Sequence, residues 1–370
     1  MDRGDPRGAT RPFAAVRSTA LPSLDGGRFV AAALVMLFHY SFMVAKFTGG
    51  QPLAMTLRGG HAGVEYFFVL SGFIIFHVHR RDVGRPGRVH AFAEKRAIRV
   101  LPMLWLILAA WGTLRALAPG ATTNGDTGFG TLALDMLLIP HSGPMVLGVT
   151  WTLIREAIFY ALFATLIVDR RLGVAVLAGW QVAVAARAAL GTALPPFGDA
   201  LLDVHNLGFG IGMLIAAAPP LRPLGLTRAA AIVGAALFAG LLALEWRIGG
   251  PLDPDLLPLG PWRGPLLYTG AAALLLLGLA SMDRLRPRLE TAMVRDLAGA
   301  SYLLYLTHGP TGSLAIRLLQ RLPALPPTAL LVLLSIVAVA AALLLHLVVE
   351  RPLLAWLRAA TRPASVPAHV

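Results

Sequence analysis

The chain contains no cysteine, and charged residues make up only 14% of its 370 positions. The first absence excludes disulfides, thiolate metal sites and cysteine nucleophiles. The second excludes a soluble globular fold, whose surface needs about a quarter of its residues charged. Acidic residues are the scarcer sign: 19 Asp and Glu against 32 Lys and Arg, a formal net charge of +13. What fills the chain instead is apolar, with 56% hydrophobic residues and a mean hydropathy of +0.69.

Apolar runs long enough to cross a bilayer recur along the chain, which predicts an all-α polytopic membrane protein. About ten spans are expected, near 27–47, 63–80, 100–118, 149–168, 172–190, 202–218, 227–245, 263–281, 298–318 and 328–349. Basic residues cluster in the short loops between them, so the positive charge reflects membrane topology and no nucleic-acid partner is expected. An even number of spans puts both termini on one side. The terminal segments and the loops on that side hold 23 of the 32 Lys and Arg, counting Arg28 and Arg99 at span edges. The positive-inside rule then makes both termini cytoplasmic. The Arg- and Ala-rich composition is that of a bacterium of high genomic GC content, whose multi-pass proteins sit in the cytoplasmic (inner) membrane. We divide the chain into a cytoplasmic segment 1–24, a membrane domain 25–352 and a cytoplasmic tail 353–370. The first apolar run is read as a retained span, being too long for a signal-peptide core. The connection 119–148, with Asp126, Asp135 and His141, is expected to form a lid or re-entrant piece. No internal repeat or second soluble domain is visible.

Within the first span, His39 follows Arg28 by eleven residues, about 1,100° of helix or three turns plus roughly 20°. The two therefore share one stripe, about 16 Å apart along the axis, the arginine at the membrane edge and the imidazole near mid-depth. Ionisable groups at that depth are functional-site candidates. A neutral imidazole there is suited to general-base work, and Arg28 to holding an anionic group. The bland alternatives are a histidine satisfied by a backbone carbonyl and an arginine snorkelling to phosphates.

His61 and Glu65 are four apart at the start of the second span, so Glu65 is expected to orient His61 or His39, or to bind acceptor hydroxyls. Ser71-Gly72 reads as a close helix approach; its surroundings are not a nucleophile elbow. His77 and His79 point to different faces, so no metal site is expected. Arg96 and Arg99 project from one face at the cytoplasmic surface and suit phosphate binding, or else lipid anchoring. Trp151 opens the fourth span, followed by Arg155 and Glu156, either a catalytic carboxylate or a counter-ion to an arginine. Tyr305 and His308 share a face of the ninth span. Glu350-Arg351-Pro352 closes the last with a local ion pair.

Taken in order, these segments resemble the integral-membrane acyltransferase-3 family from about Leu24 to Pro352. The resemblance rests on Arg28…His39, Gly63-Val64-Glu65-Tyr66-Phe67-Phe68-Val69-Leu70-Ser71-Gly72-Phe73, Arg96…Arg99, Trp151-Thr152…Glu156, Ser301-Tyr302…Tyr305…His308 and Glu350-Arg351-Pro352. Departures are Glu65 where aspartate is common, Thr152 for serine, and Gly27 for leucine. The resemblance implies O-acyl transfer from cytoplasmic acyl-coenzyme A, used as a co-substrate with no permanently bound cofactor. The implied acceptor is a carbohydrate hydroxyl, on a glycan or lipid-linked glycan at the membrane. His39 would act as base or transient acyl carrier, and Glu156 or Glu65 as orienting carboxylate. Arg28, Arg96 and Arg99 would hold the donor, while His61, Trp151, Tyr305 and His308 would supply acceptor or oxyanion contacts. Two other readings stay open: a small lipophilic acceptor such as a macrolide, and a proton-coupled secondary transporter.

Overall fold

The computed structural model describes residues 21–117, 128–249, 262–285, 291–319 and 325–361. Asp126, most of the N-terminal segment and the end of the tail lie outside the described residues. The described secondary structure is helical and contains no strand. Hydrocarbon offers backbone groups no other partner, so each span closes its own hydrogen bonds.

Helix α1 (Pro22–Thr48) begins with proline in its first turn and ends on Gly49 at φ 71°, the left-handed cap that glycine adopts without strain. Next come α2 (Gly63–His79), α3 (Val89–Leu117) and the short α4 (Phe129–Met136). They are followed by α5 (Thr150–Val168), α6 (Arg170–Leu190), α7 (Pro196–Leu201) and α8 (Leu207–Ala217). The C-terminal half holds α9 (Leu224–Ile248), α10 (Arg263–Leu285), α11 (Ala292–Leu319), α12 (Pro327–Leu345) and α13 (Arg351–Ala360). Nine helical segments among the described residues are long and apolar enough to span a membrane. The ninth expected span, 298–318, is α11, which is helical but falls outside that group. Its face toward the bundle carries buried Ser301, Tyr305, Thr307 and His308, and those polar groups dilute its hydropathy.

The sixth expected span, 202–218, opens on a break, with a further short helix ahead of it. A 3-10 turn at Val204–Asn206 separates α7 from α8 and sets Asp203 and His205 at the break. Broken backbone at this depth is tolerated where it is buried in protein. A second irregularity, the π-helical turn His346–Glu350, joins α12 to α13.

Helix α1 packs on α2, α10, α11 and α12, while α2 packs on α8 and α10. Lipid tails are as apolar as leucine, so helix association relies on close packing and polar satisfaction. Gly72 and Gly212 supply the closeness: a Cβ on either would run into the opposing backbone, at Phe209 and Val69 respectively. Gly72 thus has the expected packing role, whereas Ser71 has a polar partner described below.

Candidate active site

A cavity of about 170 Å³ opens among α1, α2, α3, α5 and α11. It gathers Arg28, Arg96, Arg99, Glu156 and Tyr305, which lie in four separate motifs of the sequence. Ser71 and Tyr160 also line it, and both donate to Glu156 Oε1, at 2.8 and 2.6 Å. Glu156 Oε1 is therefore held by two hydroxyls, and the carboxylate shares the cavity with the three arginines. Tyr305 and Thr152 pair their hydroxyls at 3.0 Å across α5 and α11.

The arginines are held differently. Arg99 donates to the fully buried Glu350 at 2.5 Å and lies over the Tyr302 ring at 5.4 Å. Glu350 also accepts from His346 Nδ1 at 2.7 Å. The local Glu350–Arg351 pair expected from the sequence is replaced by this long-range one, and Arg351 instead approaches Asp296 at 3.8 Å. His346 and Glu350, four apart in the π-helical turn, lie on one side of it. Among the described residues, Arg28 makes one ion-pair contact, with Asp25 at 3.9 Å.

Beyond Tyr305 lies a histidine pair. The rings of His39 and His308 are 4.9 Å apart, and the Tyr305 ring is 6.1 Å from that of His308. His39 Nδ1 meets the Val35 carbonyl at 2.8 Å, and His308 Nδ1 meets that of Leu304 at 3.2 Å. A carbonyl only accepts, so each Nδ1 carries the hydrogen and each Nε2 keeps its lone pair. The bland reading of His39, a ring bonded to a carbonyl, thus fixes the tautomer a base requires. Tyr40 Oη donates to the His308 carbonyl at 2.8 Å and ties α1 to α11 here.

Two expectations for the outer residues are corrected. His61 does not pair with Glu65, because it precedes α2 in the 3-10 turn Arg58–Ala62. Its ring Nε2 lies 3.0 Å from Glu245 Oε2 of α9. Glu65 orients neither His61 nor His39. Its partner is His205, with Nε2 at 3.5 Å. His205 Nδ1 donates to Asp203, which also accepts from Arg155 at 2.8 Å. The Arg155 guanidinium lies 4.7 Å over the Trp151 ring, whose other neighbours are His205 and Phe68. Trp151 is thus one wall of a charged relay that runs from Glu65 to Arg155. Asp203, His205 and Glu245 were legible as ionisable residues in or beside spans, the signal that singled out His39, but no short motif contains them.

No group of three His, Asp or Glu among the described residues could hold a metal ion. His79 pairs with Asp82 at 2.8 Å, and His77 stacks on Phe73. In the outer connection, Asp135 accepts from His141 at 2.9 Å and from the Val146 amide at 2.7 Å. Burial pushes the Asp135 carboxyl above the usual range, against the lowering effect of both donors.

Comparison with known proteins gives a consistent result. The sequence model of a family described as an acyltransferase domain matches residues 21–347. An exopolysaccharide production protein of Rhizobium meliloti (strain 1021) is 31% identical over 291 residues, 74% of this chain and 80% of that protein. A provisionally named O-acetyltransferase of Staphylococcus aureus (strain COL) is 25% identical over 161 residues, 40% of this chain and 25% of its own length. No solved structure matches.

Proposed function

The chain belongs to this acyltransferase family, and from that premise we propose that it is an O-acetyltransferase acting from acetyl-coenzyme A on a glycan hydroxyl. The observation that carries the reading is the continuous line from the arginine cavity past Tyr305 to the His308–His39 pair. Arg28 and Arg96, with the pre-oriented Arg99, suit the phosphates of the donor. Arg99 has five N–H donors, so its bond to Glu350 leaves others to spare. From there the thioester arm extends past Tyr305, whose hydroxyl stabilises the developing oxyanion. Glu156 stands with the arginines and orients the donor.

His39 Nε2 takes the proton of the acceptor hydroxyl as its oxygen attacks the thioester carbonyl carbon. The tetrahedral intermediate collapses, the C–S bond breaks, and the thiolate receives that proton from His39. Coenzyme A leaves as thiol and the acyl group remains as an ester. The glycan acceptor is supported by the relative named for exopolysaccharide production. The donor is cytoplasmic, because the arginines lie toward the basic side of the bundle that the charge bias makes cytoplasmic. The bacterial inner membrane is the corresponding location.

Purified protein in detergent, given acetyl-coenzyme A and a crude glycan extract, should release thiol in a glycan-stimulated way, and His39→Ala should not. Absence of thiol release from the unaltered chain across several acyl donors and acceptors would overturn the reading and favour transport.

A further inference from the structure

A second cavity, of about 240 Å³, lies between α3 and α5 and shares Arg96, Val100, Leu153, Glu156 and Tyr160 with the reaction cavity. Its walls are two facing stripes of small residues. Ala93 and Ala97 stand one turn apart on α3, and Ala157, Ala161 and Ala164 follow successive turns of α5. Such stripes in membrane helices normally bring backbones into contact; here they line a slot. Ala93 and Ala161 are exposed, so the slot opens sideways onto the hydrocarbon layer.

The slot has two different ends. Beyond Phe92, just ahead of α3, Arg85 and Arg88 are exposed, with Asp82 3.8 Å from Arg88. The far end is lined by Leu138, a non-glycine residue held at φ 55°. A left-handed leucine costs about 1–2 kcal/mol and persists only where its surroundings determine it, as around ligands. Behind the slot stand an arginine, a carboxylate and a tyrosine. Left open, it would let bilayer hydrocarbon reach the polar lining of the reaction cavity, an unfavourable contact for ionised groups.

The geometry points to a binding site for one anionic phospholipid, with an acyl chain in the alanine slot and its phosphate at Arg85 and Arg88. This lipid seals the side of the reaction cavity, and its role as a seal rests on the acyl-transfer reading of that cavity. A phospholipid is favoured over a lipid-linked acceptor because the cations lie outside the slot. A reacting head group would instead need them at its inner end, where Arg96 already serves the donor.

The test is phospholipid retention by the full-length protein through purification in mild detergent, read by native mass spectrometry against added phosphatidylglycerol. Filling the slot with Ala161→Phe or, from the other wall, Ala93→Phe should lower retention about tenfold, the change that about 1.4 kcal/mol of binding produces. Delipidation should lower acetyl-coenzyme A turnover in the unaltered chain and spare Ala161→Phe, whose ring replaces the lipid chain. Equal retention by the unaltered and filled chains would overturn the proposal, as would retention of a polyprenyl lipid in place of a phospholipid. Retention is measured without turnover, so this failure is distinct from failure of the acyl-transfer reading. A thermal transition kept by either variant establishes that it folds.

Discussion

Arg99 and Glu350, 251 residues apart, meet at 2.5 Å, with Glu350 fully buried and His346 on its second oxygen. The arginine at the donor cavity is therefore also a structural cation. Removing it strands a buried carboxylate, a loss of about 3 kcal/mol for a pair of this kind. Arg99→Ala should lower the melting temperature in detergent as well as weaken the donor. The double variant Arg99→Ala, Glu350→Ala should be more stable than the sum of the two single losses.

Arg28 provides the contrast. Its one ion-pair contact among the described residues is Asp25, at 3.9 Å, a separation worth little. Arg28→Ala should leave the melting temperature nearly unchanged and raise KM for acetyl-coenzyme A several-fold, read by thiol release over a donor titration.

Loss of His39 should separate binding from chemistry. General-base catalysis typically contributes about 10²–10⁴-fold, so His39→Ala should lower kcat by that order while donor KM stays within about threefold. A variant with full kcat would remove His39 from the mechanism.

Asp203 accepts from both His205 and Arg155. Asp203→Ala leaves His205 with Glu65 at 3.5 Å and Arg155 with Asp199 at 3.9 Å as their remaining carboxylates, so the loss should be about 3 kcal/mol, the low end for a broken buried pair. Asp203→Asn keeps an acceptor and should recover part of that loss. Thermal unfolding of the two variants side by side measures the difference.

At the α2–α8 crossing, Gly72→Val forces a side chain into the Phe209 backbone and should destabilise by about 1–3 kcal/mol. Gly26→Ala on α1 has open space around its Cβ and should be close to neutral, which makes it the control.

The places of the spans were legible in local sequence, because a bilayer imposes length and apolarity on each helix separately. The same holds for the motifs, whose Arg28, Arg96, Arg99, Glu156 and Tyr305 line one cavity. Partners were not legible. His61 meets Glu245 and Glu65 meets His205, because the choice depends on which faces α2, α8 and α9 turn toward each other. Helix α7 was not legible either, since it is only six residues long and is cut off from α8 by the polar stretch Asp203-Val204-His205-Asn206.

The amino-acid sequence by itself determined an all-helical membrane protein and the chemical types along its spans, since hydropathy and residue identity act locally. Only the tertiary structure decided that His39 and His308 lie beside one another, that Glu156 is held by Ser71 and Tyr160, and that Arg99 serves Glu350. The physical reason is that hydrocarbon favours no particular pairing of apolar faces. Close approach at small residues and the need to satisfy buried polar groups select one arrangement of the bundle.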